Sequence, residues 1–108
     1  MIAMDMTLGD QQEQFMRMLP LLIMYAHYLG YEVRGGHLRR CDTCPVGRKN
    51  SVHRHSLAID LNLFTAGGNF LTDGTGHDKL HDFWDMLGGA PRITEDLNHY
   101  SLAWKGAW

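Results

Sequence analysis

The sequence fits an α+β fold in which helices pack on a small, mainly antiparallel sheet. Two segments carry apolar residues at helical spacing, short alternating runs read as strands, and Gly-rich breaks separate them. The 108 residues suit a single domain spanning 1–108, with a modest core. An apolar fraction of 44% and a charged fraction of 20% belong to a globular chain.

Residues 7–29 form the first expected helix. Phe15, Met18, Leu19, Leu22, Ala26 and Leu29 make its buried stripe, Thr7 and Asp10 a capping pair, and Gly30 its stop. Pro20 should kink this helix or split it in two. The methionines Met16, Met18 and Met24 are read as core. Residues 31–34 are a short strand candidate ended by Gly35-Gly36, and residues 35–52 a polar loop. Residues 57–64 alternate: Leu57, Ile59, Leu61 and Leu63 point one way, and Ala58, Asp60, Asn62 and Phe64 the other. A turn at residues 66–69 should return the chain through Phe70-Leu71 as a hairpin. A second helix is expected from Asp78 to Leu87, with Leu80, Phe83, Trp84 and Leu87 inward and Gly88-Gly89 after it. Residues 98–104 alternate again and read as the last strand, and packing on the sheet is expected of the tail from Trp104 to Trp108.

A net charge of -2 supplies no basic field for nucleic acid. The run from Met18 to Leu29 is too short to cross a bilayer and holds Pro20, His27 and two tyrosines. The N-terminus lacks the basic start of a signal peptide, so synthesis in the cytoplasm without export signal is expected.

Asp60 is the anomaly of its strand: a carboxylate amid apolar residues must be solvated, paired or bound to a cation. His53 lies in the loop feeding that strand, and His99 opens the last strand three residues after Asp96. Two histidines and one carboxylate are a common catalytic zinc set, which leaves room for water. A further carboxylate near the metal can act as general base, and Asp96 is the natural candidate.

Ser51-Val52-His53-Arg54-His55-Ser56-Leu57-Ala58-Ile59-Asp60 resembles the Ser-x-His-x-x-Gly-x-Ala-x-Asp motif of the zinc D-Ala-D-Ala carboxypeptidases and L-alanyl-D-glutamate endopeptidases. Asp96-Leu97-Asn98-His99 resembles that family's second motif, an acid three residues before a His on a strand. Leu29-Gly30-Tyr31-Glu32-Val33, Lys49-Asn50-Ser51 and the stretch from Leu57 to Phe64 are similar to the phage endolysin branch. Ser56 stands where that motif usually has Gly, or Arg in phage members.

The resemblance implies one catalytic zinc at one end of the sheet, held by His53, Asp60 and His99, with Asp96 as general base. Ser51 would orient the substrate or the motif loop. Arg39, with Arg40 as runner-up, would meet the substrate carboxylate or the developing oxyanion. The implied activity is hydrolysis of a peptide bond in the peptidoglycan stem by a monomer without stable membrane insertion. Release would come through a partner such as a holin, or the protein would be carried in a virion. A D-Ala-D-Ala carboxypeptidase or dipeptidase is the alternative within the class. A non-catalytic wall-binding or virion structural module is the alternative outside it.

His77 and His81 stand i, i+4 on the second helix, a spacing shared with helical zinc pairs, and are read as surface residues. Cys41 and Cys44 leave three readings open: part of a loop metal site with His37, a redox pair, or two free thiols.

Overall fold

The computed structural model of the chain describes residues 6–36 and 55–108. Two helices pack on a three-stranded antiparallel sheet, the α+β arrangement the sequence led us to expect. In chain order the elements are α1 (Leu8–Tyr28), β1 (Glu32–Gly35), β2 (Ala58–Phe64), α2 (His77–Leu87) and β3 (His99–Ser101). The sheet order is β1-β2-β3, so β2 is central.

Helix α1 begins with a reciprocal capping box. The Asp10 amide donates to Thr7 Oγ1 at 3.1 Å, and the Thr7 amide donates to Asp10 Oδ2 at 3.0 Å. Those bonds, the backbone one first, hold the Asp10 carboxyl below its ordinary range. Phe15, Met18, Leu19, Leu22 and Ala26 are buried, as their spacing predicts, and Leu29 packs partly buried against them. The expected split at Pro20 does not occur, for α1 runs unbroken from Leu8 to Tyr28. Pro20 is exposed, so water can satisfy the carbonyl its ring leaves without a donor. Met16 and Met24, expected in the core, are exposed because they fall off the buried stripe; only Met18 lies on it.

Leu57, just before β2, and Ile59, Leu61 and Leu63 within it are buried in the core; on the other set of positions Asp60, Asn62 and Phe64 are half-buried and Ala58 is fully buried. The returning strand at Phe70-Leu71 shrinks to one bridge, Phe64 with Phe70, and a bond from the Leu71 amide to the Leu63 carbonyl at 3.0 Å. The last strand is likewise shorter than its alternation suggested, with pairing only over His99–Ser101. Beyond it Trp104 packs partly buried against the core and Trp108 is exposed.

Helix α2 lies between left-handed glycines, Gly76 (φ 88°) and Gly88 (φ 98°). A Cβ on Gly76 would stand 2.7 Å from the Tyr31 ring, so this turn seats the first residue of α2 closely against the chain entering β1. Leu80 and Trp84 are fully buried, with Phe83 and Leu87 packed beside them. Trp84 meets Phe15 edge-on at 5.8 Å and donates from Nε1 to the Ser101 carbonyl at 2.9 Å. The Ala90 amide donates to the same carbonyl at 2.9 Å, which ties α2 to β3. Truncating Trp84 to Ala would cost about 3–5 kcal/mol. Among the described residues no helix is long and apolar enough to cross a membrane.

Candidate metal centre

The pairing of β2 with β3 sets Asp60 directly opposite His99. Directly paired residues project from the same face of a sheet, so the carboxylate and the imidazole are cross-strand neighbours. Asp60 Oδ1 lies 3.7 Å from His99 Nδ1. Asp96 arrives by a turn: the His99 amide donates to the Asp96 carbonyl at 3.1 Å, which folds residue i onto residue i+3. Asp96 Oδ2 then lies 4.0 Å from the same Nδ1. One ligand atom from each of Asp60, Asp96 and His99 falls within 4.8 Å of the other two, so the group could hold a metal ion.

Exposure is graded across the three. The His99 side chain is 2% exposed, Asp60 14% and Asp96 47%. Asp60 and Asp96 bring carboxylate oxygens beside the His99 imidazole, close enough for one cation to be shared by all three. An imidazole nitrogen with carboxylate oxygens suits zinc and other borderline divalent ions. The donor set therefore fits a metal without identifying it.

On its other side Asp60 is bordered by Gly36, whose amide donates to the Asp60 carbonyl at 2.6 Å. A Cβ on Gly36 would come within 2.9 Å of the Asp60 Cβ, so any larger residue would push on the carboxylate's own stem. Sequence reasoning took Gly35-Gly36 only as the end of a strand and missed this close approach. Ser56, just before β2, has φ 57°, in the left-handed region that glycine occupies without strain.

Asp96 opens onto a cleft of about 410 Å³ whose lining includes Asn62, Asn98, Asp73 and Glu95. Asn98 Nδ2 donates to Asn62 Oδ1 at 3.2 Å and so joins β2 to the turn before β3. Asp73 Oδ1 accepts from the Thr75 hydroxyl at 2.6 Å and the Thr75 amide at 3.1 Å, bonds that keep its carboxyl below the usual range.

His77 and His81 are not surface residues: they are 3% and 0% exposed. With Leu80 and Trp84 they form an i, i+3, i+4, i+7 series, and that spacing was the signal available to find them. His77 Nδ1 and the Tyr100 hydroxyl are 2.6 Å apart. His81 stacks on the Tyr100 ring at 4.2 Å, with Nε2 2.6 Å from the Leu97 carbonyl. Burial, reinforced by the neighbouring His81, pushes His77 down to about 4. Burial also lowers His81, against the opposing pull of the Leu97 carbonyl. Burial raises the Tyr100 phenol far above its ordinary range, so it keeps its proton.

His53, Ser51, Arg39, Arg40, His37, Cys41 and Cys44 lie outside the described residues. Of the expected ligands and base, the described residues hold Asp60, His99 and Asp96, and these three come together. No family model, curated protein or solved structure matches the chain.

Proposed function

We propose that the chain is a zinc-dependent peptidoglycan peptidase, a phage or prophage lysin of the L-alanyl-D-glutamate endopeptidase type. The observation that carries this reading is the convergence of Asp60, Asp96 and His99 beside an open cleft. The resemblance of two separate sequence motifs to that peptidase family supplies the substrate class. In this reading His53 joins Asp60 and His99 as a ligand, and Arg39 and Ser51 contact the substrate.

The gradient of exposure favours a division of labour. His99 and Asp60, the more buried pair, hold the ion, while half-exposed Asp96 faces the cleft where water and substrate meet. Zinc bound there would supply Lewis acidity, polarising the scissile carbonyl and acidifying water. Asp96 takes a proton from the attacking water as its oxygen bonds to the carbonyl carbon. It returns that proton to the departing nitrogen as the C–N bond breaks, so a carboxylate and an amine are formed. Asp60 and His99, fixed across the β2–β3 ladder, keep their donor atoms in place through the reaction.

The test is digestion of isolated sacculi by purified, zinc-loaded protein, with released fragments identified by mass. Cleavage within the stem is expected, and loss of a single terminal alanine would instead indicate the carboxypeptidase alternative. Asp96→Asn should lower kcat by about 10²–10⁴-fold, the usual contribution of a general base. A parent that binds zinc and releases nothing from sacculi would end the peptidase reading.

A further inference from the structure

The peptidase reading leaves His77 without a task, yet this histidine is the first residue of α2 and lines the same cleft as Asp96. It is 97% removed from solvent by its 3% exposure, and its position is fixed from two directions. Its amide donates to the Gly74 carbonyl at 3.0 Å, and the Gly76 turn presses against Tyr31.

The protonation of the ring follows from its partner. Tyr100 is fully buried, and a buried hydroxyl must place its proton on an acceptor. Among the described residues the one hydrogen-bond partner of that hydroxyl is His77 Nδ1, 2.6 Å away. The phenol therefore donates to Nδ1. A neutral imidazole that accepts at Nδ1 carries its hydrogen at Nε2. His77 lines the cleft, and with Nδ1 engaged Nε2–H is the remaining polar group of its ring.

That donor calls for an acceptor on the ligand. Among the described residues that line the cleft are the carboxylates of Asp73, Glu95 and Asp96, with no Lys or Arg among them. An uncharged carbonyl oxygen meets no net repulsion from those carboxylates. The Asn62–Asn98 amide pair lines the same cleft and offers further donors and acceptors to a peptide backbone.

We propose that His77 is a substrate-anchoring residue, clamped by Tyr100, whose Nε2–H donates to a peptide carbonyl oxygen of a stem peptide lying beside Asp96. The assignment rests on the peptidase reading and adds the contact that holds the peptide in register with the base. A neutral donor of this kind binds ground state and transition state alike, so its loss raises KM and leaves kcat nearly unchanged.

The experiment is steady-state cleavage of a soluble stem tetrapeptide by the zinc-loaded full chain. His77→Phe should raise KM about tenfold, the equivalent of one lost hydrogen bond, at the parent's zinc content. His77→Gln, which can offer an N–H at a similar place, should recover most of that loss. A second measurement needs no variant: the ¹⁵N-labelled parent, stripped of metal so the peptide survives, is titrated with the same peptide while the His77 Nε2–H resonance is followed. A shift on binding supports the anchor. His77→Phe with the parent's KM, or an Nε2–H signal unmoved by saturating peptide, overturns it while the peptidase reading stands. A parent that neither binds nor cleaves the peptide removes both.

Discussion

Two histidine clusters meet on β3, and they differ in what faces the rings. His99 looks across the ladder at Asp60 and back along the turn at Asp96. One residue later Tyr100 pairs with Ile59, turns to the other face and meets His77 and His81 of α2. Strand alternation alone separates the two environments. Around His77 and His81 the partners are a phenol and a carbonyl, which are satisfied by neutral rings. Around His99 they are carboxylates, which gain from a positive charge placed between them. Burial is nearly the same in both clusters, at 2% for His99 against 3% and 0% for the pair. Burial therefore does not separate a group that could hold a metal from a packed network, whereas the charge of the partners does.

The largest expected effect lies on the carboxylate side. In the proposed zinc peptidase, His99→Ala should weaken zinc binding by more than the roughly 10–100-fold that loss of an outer partner costs. Metal content after dialysis measures it, and zinc retained at the parent's level would erase the contrast between the clusters. Next comes Tyr100→Phe, which leaves the buried Nδ1 of His77 without its donor. A loss of about 1–3 kcal/mol in urea unfolding is expected, with zinc content unchanged.

A smaller effect is set by pH. His77 in the folded chain is held at about 4 against an ordinary 6.5, so the unfolded chain takes up this proton first as pH falls. Stability from His77 is thus complete above about 6.5 and is lost as pH drops towards about 4. The urea midpoint of the parent should fall across that window, and that of His77→Phe should fall less steeply. The smallest change is at Ser56, whose φ of 57° strains a residue with a Cβ. Ser56→Gly should gain up to about 1 kcal/mol, read from the same unfolding curves.

Some of this was legible in the chain. Asp60 stood out because one charge broke a clean apolar alternation, and the i, i+3 spacing of Asp96 and His99 is the reach of a single turn. The cap at Thr7 and Asp10 and the buried stripe of α1 were equally local. His77 and His81 were misread although their spacing with Leu80 and Trp84 pointed inward, because the group that makes an interior imidazole tolerable, Tyr100, is distant in sequence. Gly36 was misread for a like reason. A glycine after a strand signals a turn, and only the neighbouring strand reveals that Asp60 occupies the space a side chain would need. Met16 and Met24 erred the other way, since hydrophobicity was allowed to outweigh their position off the stripe.

The Ser101 carbonyl that receives both Trp84 and Ala90 has a consequence for behaviour in concentrated solution. Among the described residues the three-stranded sheet has two borders, and an unpaired border can recruit strands from other molecules. On the β3 border Ser101 spends its acceptor on an indole and an amide from its own chain. The β1 border instead carries the charged Glu32 and Arg34, exposed side chains that discourage sheet-to-sheet growth. Trp84→Phe would remove one of the two donors to that carbonyl and leave the Ala90 amide to cover the β3 border alone.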